Sequence, residues 1–305
     1  MSFAINILYI WTSDNLRLQG IHYIPEEKDI CVLLIHGMSG NFIENYFGSV
    51  LGETLATDGI GFIYSHNRGY NHINDIATKE IKEDDGYKTI RIGAVYERFL
   101  KSVNDIEAWL NECQKFGYKR IILLGHSLGC NKTIHYYHKQ NPKSVIGIIL
   151  ASPPDMVGLA KLPKYQLNYK ELLKEAKRNV AEGNPRKLLS SLLWDWYQLS
   201  SQTFLDLFEE NGPADNLPIL KNPEKFPELA TINVPILGIM GENDDIAIKT
   251  LHEDLGLIAS KAINCPSFTK KFIKDANHTY DRQEKQFANI IKAWIKEKFL
   301  QEVSS

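Results

Sequence analysis

The chain of 305 residues has little cysteine and no marked excess of charge of either sign. Its cysteines lack the paired spacing of zinc ligands, so we expect reduced thiols and no disulfides. His135 and His138 lie one helical turn apart, but no carboxylate or cysteine accompanies them; we expect exposed side chains and no metal site. A formal net charge of -2 provides no broadly basic surface. Nucleic acid is therefore not an expected partner.

Long hydrophobic runs are missing as well. No segment approaches the roughly 20 consecutive apolar residues that a membrane-spanning helix needs, so we expect no membrane span. The first residues, MSFAINILYIWTSDNLRLQG, have no basic leader, no unbroken apolar centre and no small-residue cleavage site. We therefore expect a cytoplasmic protein.

Short apolar segments recur along the chain, and they predict the fold class. They are ICVLLIHG, GIGFIYSH, RIILLGHS, SVIGIILAS and VPILGIMGEND. Aliphatic runs without polar alternation are typical of strands buried on both faces. Helical patterns cover residues 48–57, 93–116 and 129–140, and the first twenty-five residues resemble two antiparallel strands. This alternation predicts an α/β fold with a mostly parallel, doubly wound sheet of about eight strands.

The alternation of strand and helix stops after Pro153 and resumes at Val234. Between them the chain has helical patterns, many prolines and the aromatic segment WDWYQLSSQTFLDLF, but no clear strand. We therefore predict a core of residues 1–153 and 231–305, with a helical cap inserted at 154–230. Among six large cap residues, neighbours spaced three or four apart are expected to place several on one helix face, and most are expected to pack the cap against the core. They are Trp194, Trp196, Tyr197, Phe204, Leu207 and Phe208.

The segment IILLGHSLGCNKTIHYY contains the residues that point most directly to chemistry. Ser127 lies between Gly125 and Gly129, after an apolar strand and before a helical pattern. Such a motif can be merely a tight turn, but it can also lift a serine hydroxyl above the end of a sheet. His126, inside the turn, is expected to be held by packing. Because serine is a weak nucleophile at neutral pH, it needs a histidine base that a carboxylate holds in the correct tautomer.

Both partners are available further along the chain. The strand VPILGIMGENDD ends at Asp244 and Asp245, and His278 lies in a short polar turn within FTKKFIKDANHTYDRQ. Loops at the carboxyl ends of parallel strands converge on one crevice, which suits the order serine, acid, histidine. Either aspartate fits, although Asp245 could instead cap the helical pattern AIKTLHEDL. His252 lies on that pattern and is expected at the surface.

Four segments together resemble the α/β-hydrolase superfamily. They are LLIHGMSG after an early strand, GHSLG as the nucleophile turn, GENDD at the acid turn and ANH at the histidine turn. The resemblance covers nearly the whole chain outside the predicted cap. It implies that Ser127 is the nucleophile, that His278 is the general base and that Asp244 orients the histidine.

The same resemblance implies an oxyanion hole formed by the backbone NH groups of Met38 and Leu128. Gly37 would let the turn point its NH inward, and His36 would hydrogen-bond to the loop backbone and shape that turn. No metal and no cofactor are implied. Residues 65–72, SHNRGYNH, depart from the family pattern in the corresponding loop.

The resulting hypothesis is a serine hydrolase that cleaves a carboxylic ester or thioester of a small or medium-sized substrate through an acyl-enzyme intermediate. Its partner would be a small-molecule acyl substrate. An acyltransferase or a lyase would use the same three residues. A non-catalytic binding protein of the same fold would not need an activated serine.

Overall fold

A computed structural model describes residues 2–27, 29–82, 85–163 and 165–300. Ten strands lie within these residues: β1 Phe3–Trp11, β2 Arg17–Pro25, β3 Ile30–Ile35, β4 Gly61–Ser65, β5 Asp75–Ile81, β6 Tyr87–Arg91, β7 Arg120–His126, β8 Val145–Ala151, β9 Ile236–Gly241 and β10 Phe268–Ile273. The α-helices are α1 Tyr46–Thr57, α2 Ser102–Lys115, α3 Leu128–Gln140, α4 Met156–Ala160, α5 Gln166–Ala181, α6 Ser201–Phe208, α7 Leu251–Lys261 and α8 Glu284–Phe299.

Eight of the strands form one sheet in the order β1-β2-β4-β3-β7-β8-β9-β10. Strand β2 is antiparallel to both neighbours, and the pairs from β4 through β10 are parallel. The predicted α/β class and the strand number are therefore confirmed. The carboxyl ends of β3, β7, β8 and β9 share one edge of the sheet, which is where the candidate residues follow their strands.

The sheet is covered on both faces, which explains the unbroken apolar runs of its central strands. All six residues of β3 are buried. One face packs against α2 and α3 through side chains such as Trp109 and Ile134. The other face packs against α1 and α8 through Leu51 and Trp294. Burial at about 25 cal/mol per Å² of apolar surface makes these two layers the main stabilising element of the fold.

Two parts of the core differ from the expectations. The predicted helix 93–116 begins only at Ser102, after a short 3-10 helix at Phe99–Lys101. Gly93 has a φ of 71°, outside the helical range, and the side chain of Glu97 turns into the interior. Strands β5 and β6 form a separate two-stranded ribbon that was not expected. Their mostly exposed, polar residues carry no apolar alternation that could have indicated strands.

Between β8 and β9 the chain forms α4, α5 and α6. A third apolar cluster joins these helices to Leu128 and to the partly buried Met38. Of the six large cap residues, Phe204, Leu207 and Phe208 lie on α6, whereas Trp194 has a φ of 55° and lies in a turn before that helix. Trp196, also in that turn, is 67% exposed. The domain boundaries at 154 and 230 stay a prediction. None of the described helices is long and apolar enough to cross a bilayer.

Candidate active site

Ser127 lies at the turn between β7 and α3, in a backbone conformation that is rare for a residue with a side chain. Its φ is 56° and its ψ is -131°. A non-glycine residue costs on the order of 1–3 kcal/mol in such a region and persists only where its surroundings impose it. The surroundings here are tight: a methyl group on Gly125 would lie 2.5 Å from the Gly129 carbonyl oxygen, and one on Gly129 would clash with the Ile35 carbonyl oxygen.

The turn after β3 lies directly beside this serine. A methyl group on Gly37 would lie 2.7 Å from Ser127 Cβ and 3.1 Å from Ser127 Oγ. Within the described residues, no backbone carbonyl accepts a hydrogen bond from the NH of Met38 or of Leu128. Both NH groups thus stay available in the two segments that meet at Ser127. The N-terminal end of α3 adds the positive end of its dipole there.

His36 anchors the turn that carries Gly37 and Met38. The imidazole is fully buried, and its Nε2 accepts a hydrogen bond of 3.0 Å from the Asn67 backbone NH. Because Nε2 accepts, the proton of a neutral ring lies on Nδ1, which donates to the Gly37 carbonyl oxygen at 2.8 Å. Burial, followed by the positive charge of Lys132, holds the pKa of His36 well below its usual range. The ring therefore stays neutral, and both contacts persist.

The turns that carry Asp244 and His278 lie side by side. His278 Nδ1 is 2.9 Å from Asp244 Oδ1. The Asp244 side chain is fully buried, and that of His278 is 29% exposed. Burial opposes the negative charge of Asp244, but the hydrogen bond and the charge of His278, together with a hydrogen bond from Ser152 and the charge of His126, outweigh it and lower the pKa of the carboxyl. Burial likewise opposes a charge on His278, yet Asp244 raises the pKa of the imidazole.

His126 brings this pair to the serine turn. Its Nε2 donates a hydrogen bond of 2.8 Å to the carbonyl oxygen of His278, and the two ring centroids are 5.1 Å apart. Burial lowers the pKa of His126 to about 3, so the ring is neutral. Within the described chain no direct hydrogen bond joins Ser127 Oγ to the His278 ring. Catalytic hydrogen bonds are often long without substrate and shorten in the reactive complex.

The other acidic and histidine residues considered for the site have different environments. Asp245 is exposed and does not cap α7, because Thr250 accepts the hydrogen bond from the Glu253 NH instead. His252 stacks near Phe272, with ring centroids 3.8 Å apart. The expectation that both histidines of α3 are exposed is wrong: the His135 side chain is buried and His138 is half-buried.

The environment of His135 explains that burial. Its Nδ1 lies 3.0 Å from Glu228 Oε1, so a carboxylate that is distant in sequence supplies the polar partner that a buried imidazole needs. Among the described residues, no group of three histidine, cysteine or acidic side chains could hold a metal ion.

Sequence reasoning missed the polar residues beneath the serine turn. Asn67, Glu97 and Lys132 are all at most 1% exposed. Lys132 lies within the helix that follows the serine, but a charged residue in a helical pattern gave no signal of its burial. Asn67 lies in the loop whose pattern departs from the family, so the resemblance gave no reason to select it.

Comparisons with known proteins agree with this architecture. Residues 92–299 match the model of a family described as "Protein of unknown function (DUF1749)". None of the curated protein sequences compared with the chain matches it.

Solved structures give broader coverage. Est1E from Butyrivibrio proteoclasticus with bound ferulic acid aligns with 96% of this chain and 100% of its own, at a TM-score of 0.65 and 16% identity. The Pyrococcus furiosus esterase Pf2001 aligns with 97% of this chain and 91% of its own, at a TM-score of 0.58 and 17% identity. A predicted CIB-like hydrolase from Thermoplasma acidophilum aligns with 97% of this chain and 100% of its own, at a TM-score of 0.57 and 13% identity. At such low identities the likeness concerns the fold, and the α/β-hydrolase fold is confirmed.

Proposed function

The chain belongs to the DUF1749 family, whose description assigns no activity, and we propose that it is a serine hydrolase cleaving a carboxylic ester or thioester of a small or medium-sized substrate. One observation carries the proposal: Ser127 is held in a left-handed turn beside Gly37, while its neighbour His126 is bonded to the loop of His278. A turn that served packing alone would not require a serine in a strained conformation. Nor would it require the neighbouring His126 to hold the loop of a histidine that is hydrogen-bonded to a carboxylate.

The reaction begins when Ser127 Oγ attacks the carbonyl carbon of the substrate and the neutral His278 ring takes the hydroxyl proton through Nε2. The backbone NH groups of Met38 and Leu128 stabilise the negative oxygen of the tetrahedral intermediate. Each such donor contributes about a hundredfold to a thousandfold in rate. When the intermediate collapses, the alcohol or thiol leaves with the proton from His278, and the acyl group stays on Ser127.

The second half of the reaction releases the acid. His278 takes a proton from a water molecule as the water oxygen attacks the acyl carbon. Collapse of this second intermediate breaks the bond to Ser127 Oγ, which regains its proton from His278. Asp244 holds Nδ1 of the ring throughout, so that Nε2 faces the serine, and its negative charge stabilises the imidazolium that forms in each half.

The apolar cluster that includes Leu128, the residue after the serine, supports an apolar or aromatic acyl group. Met38 and Leu128 belong to the same cluster as Trp194, Tyr197 and Phe208. The Tyr197 hydroxyl forms a hydrogen bond of 3.1 Å with the hydroxyl of Ser39, the residue directly after Met38. Est1E, which has the same fold at low identity, binds ferulic acid, an aromatic acid. We therefore propose aromatic and medium-chain esters as the first substrates to test.

The test uses a fluorophosphonate probe and p-nitrophenyl esters on the purified protein and on Ser127→Ala. We expect covalent labelling of the wild type at Ser127, ester turnover, and loss of both in the variant with an unchanged circular dichroism spectrum. Products formed with and without alcohol acceptors separate hydrolysis from acyl transfer. A folded wild-type protein that is neither labelled nor active on any ester or thioester would contradict the proposal.

A further inference from the structure

A buried ion pair lies beneath the serine turn and has no part in the proposed steps. Lys132 Nζ is 2.5 Å from Glu97 Oε1, and the two side chains are 0% and 1% exposed. Buried charges carry a desolvation penalty that their attraction often fails to offset, so such a pair is weak evidence for stability. Lys132 lies on α3, five residues after Ser127.

The ammonium group has a second partner, which leads to the oxyanion turn. Lys132 Nζ donates to Asn67 Oδ1 at 3.2 Å. The Asn67 side-chain amide in turn donates to the His36 carbonyl oxygen at 3.1 Å, and the Asn67 backbone NH donates to the His36 ring at 3.0 Å. The same amide oxygen accepts a hydrogen bond of 3.2 Å from the Gly69 backbone NH, so Lys132 and Gly69 together fix the orientation in which Asn67 can hold the His36 carbonyl.

Glu97, the ion-pair partner of Lys132, is itself held in place by its neighbours. Its backbone carbonyl accepts a hydrogen bond of 2.9 Å from Thr203 Oγ1 on α6. Gly69 passes so close to the Glu97 carboxylate that any side chain there would clash with it. The acid thus occupies a fitted site between the loop of Asn67 and the segment that carries α6, where it neutralises Lys132.

We propose that Lys132 is a positioning residue for the oxyanion turn, acting through Asn67 on the backbone of His36 and Gly37, with Glu97 as its counter-ion. This inference rests on the proposed function of Ser127. Its rival is that the pair only supports the fold. The two roles make different demands on Lys132. A positioning role requires its hydrogen bond to Asn67, whereas a purely structural role requires only that no buried charge is left unpaired.

The decisive variant is Lys132→Met/Glu97→Met, which removes both charges, keeps the side-chain length at position 97 and shortens the side chain at position 132 by one atom. Replacing a buried ion pair by apolar residues of similar volume is often neutral or stabilising. We expect a melting temperature close to that of the wild type, a kcat on p-nitrophenyl esters lower by about tenfold to a hundredfold, and a KM within about twofold. The rate of fluorophosphonate labelling should fall in proportion to kcat.

Asn67→Ala supplies a second test that retains both charges. It should lower kcat to a similar extent, and adding it to the double variant should lower kcat little further, because the residues act as one chain. Asp14→Asn is the matched control. It removes a partner of the neighbouring buried Arg68, at 2.9 Å, without touching Asn67, and should leave kcat unchanged.

The outcomes separate the two proposals. If the wild type is not labelled at Ser127, the proposed function fails and this inference fails with it. If the wild type is labelled and the double variant keeps the wild-type kcat, only the positioning role is overturned. Additive losses on combining the double variant with Asn67→Ala would also overturn it. If the double variant does not fold, a wild-type kcat in Asn67→Ala would still overturn the positioning role, because that role acts through Asn67.

Discussion

The two halves of the candidate site are built differently. The serine half consists of a strained turn and residues such as His36 and Lys132 that have no exposed surface. The histidine half consists of two loops, with a ring that is 29% exposed and held by one contact to Asp244. The difference teaches that the proposed nucleophile and oxyanion donors are preorganised by packing, while the proposed base depends on a single hydrogen-bonded carboxylate. Each half should therefore fail in its own way.

The largest expected effect comes from removing that single partner. Asp244→Asn keeps the shape of the side chain, but its amide favours the wrong tautomer of His278, and we expect kcat to fall about 10⁴-fold. Ester turnover at pH 8 measures the loss, and an unchanged circular dichroism spectrum shows that the fold is intact. Asp245→Asn, one residue away and exposed, is the control and should retain most activity. Equal losses in the two variants would refute the assignment of the acid.

The serine half should respond to crowding instead. Gly37→Ala places a methyl group 2.7 Å from Ser127 Cβ, so the turn must shift away from the serine and carry the Met38 NH with it. We expect kcat to fall about a hundredfold to a thousandfold, as on loss of one oxyanion donor, with a smaller change in KM.

Gly256→Ala is the control for this substitution. Gly256 lies in α7 with no atom closer than 4.0 Å to an added methyl group, and the substitution should gain up to about 1 kcal/mol of stability from helix propensity. Wild-type kcat in Gly37→Ala would show that the turn after β3 takes no part in the reaction.

How much of the molecule could be predicted from the sequence depends on whether the signal is local or joins distant residues. The strands of the eight-stranded sheet and the Ser127 turn could be predicted because their signals are local: aliphatic runs, glycines beside a serine, polar residues at strand ends. Lys132 and Glu97 were not readable, since a charged residue normally indicates a solvated face and their burial depends on each other across 35 positions of the chain. The true start of α2 was missed for the same reason, because Glu97 turns inward just before it. The catalytic roles themselves stay predictions.

The pH dependence of the reaction should report on the histidine half. Asp244 raises the pKa of His278 in the folded state, and the reaction needs the neutral ring. We therefore expect kcat/KM to rise with pH and to level off above an inflection that lies above 6.5. The negative charge of Asp245 contributes to this raised pKa, so Asp245→Asn should move the inflection to lower pH. High salt should shrink that difference, because exposed charges are screened. An inflection below 6.5 in the wild type would contradict the coupling to Asp244.

The smallest expected effect concerns stability in acid, where the buried histidines of the serine half act with the opposite sign. Burial lowers the pKa of His66 to about 3, compared with about 6.5 in an unfolded chain. The unfolded state then binds more protons between these values, so the free energy of unfolding falls as the pH drops through that range. His66→Phe keeps the stacking on Phe42 and Tyr70, whose ring centroids lie 4.5 Å and 4.3 Å from that of His66.

Urea unfolding at pH 7 and pH 5 measures this effect. The difference in unfolding free energy between the two pH values should be smaller in His66→Phe by on the order of 1–2 kcal/mol. Phe42→Leu weakens the same stack without removing a titrating group, so it should lower stability equally at both pH values. An acid sensitivity that is identical in the wild type and His66→Phe would mean that His66 is protonated as easily in the folded protein as in the unfolded chain, and that water reaches this half of the site.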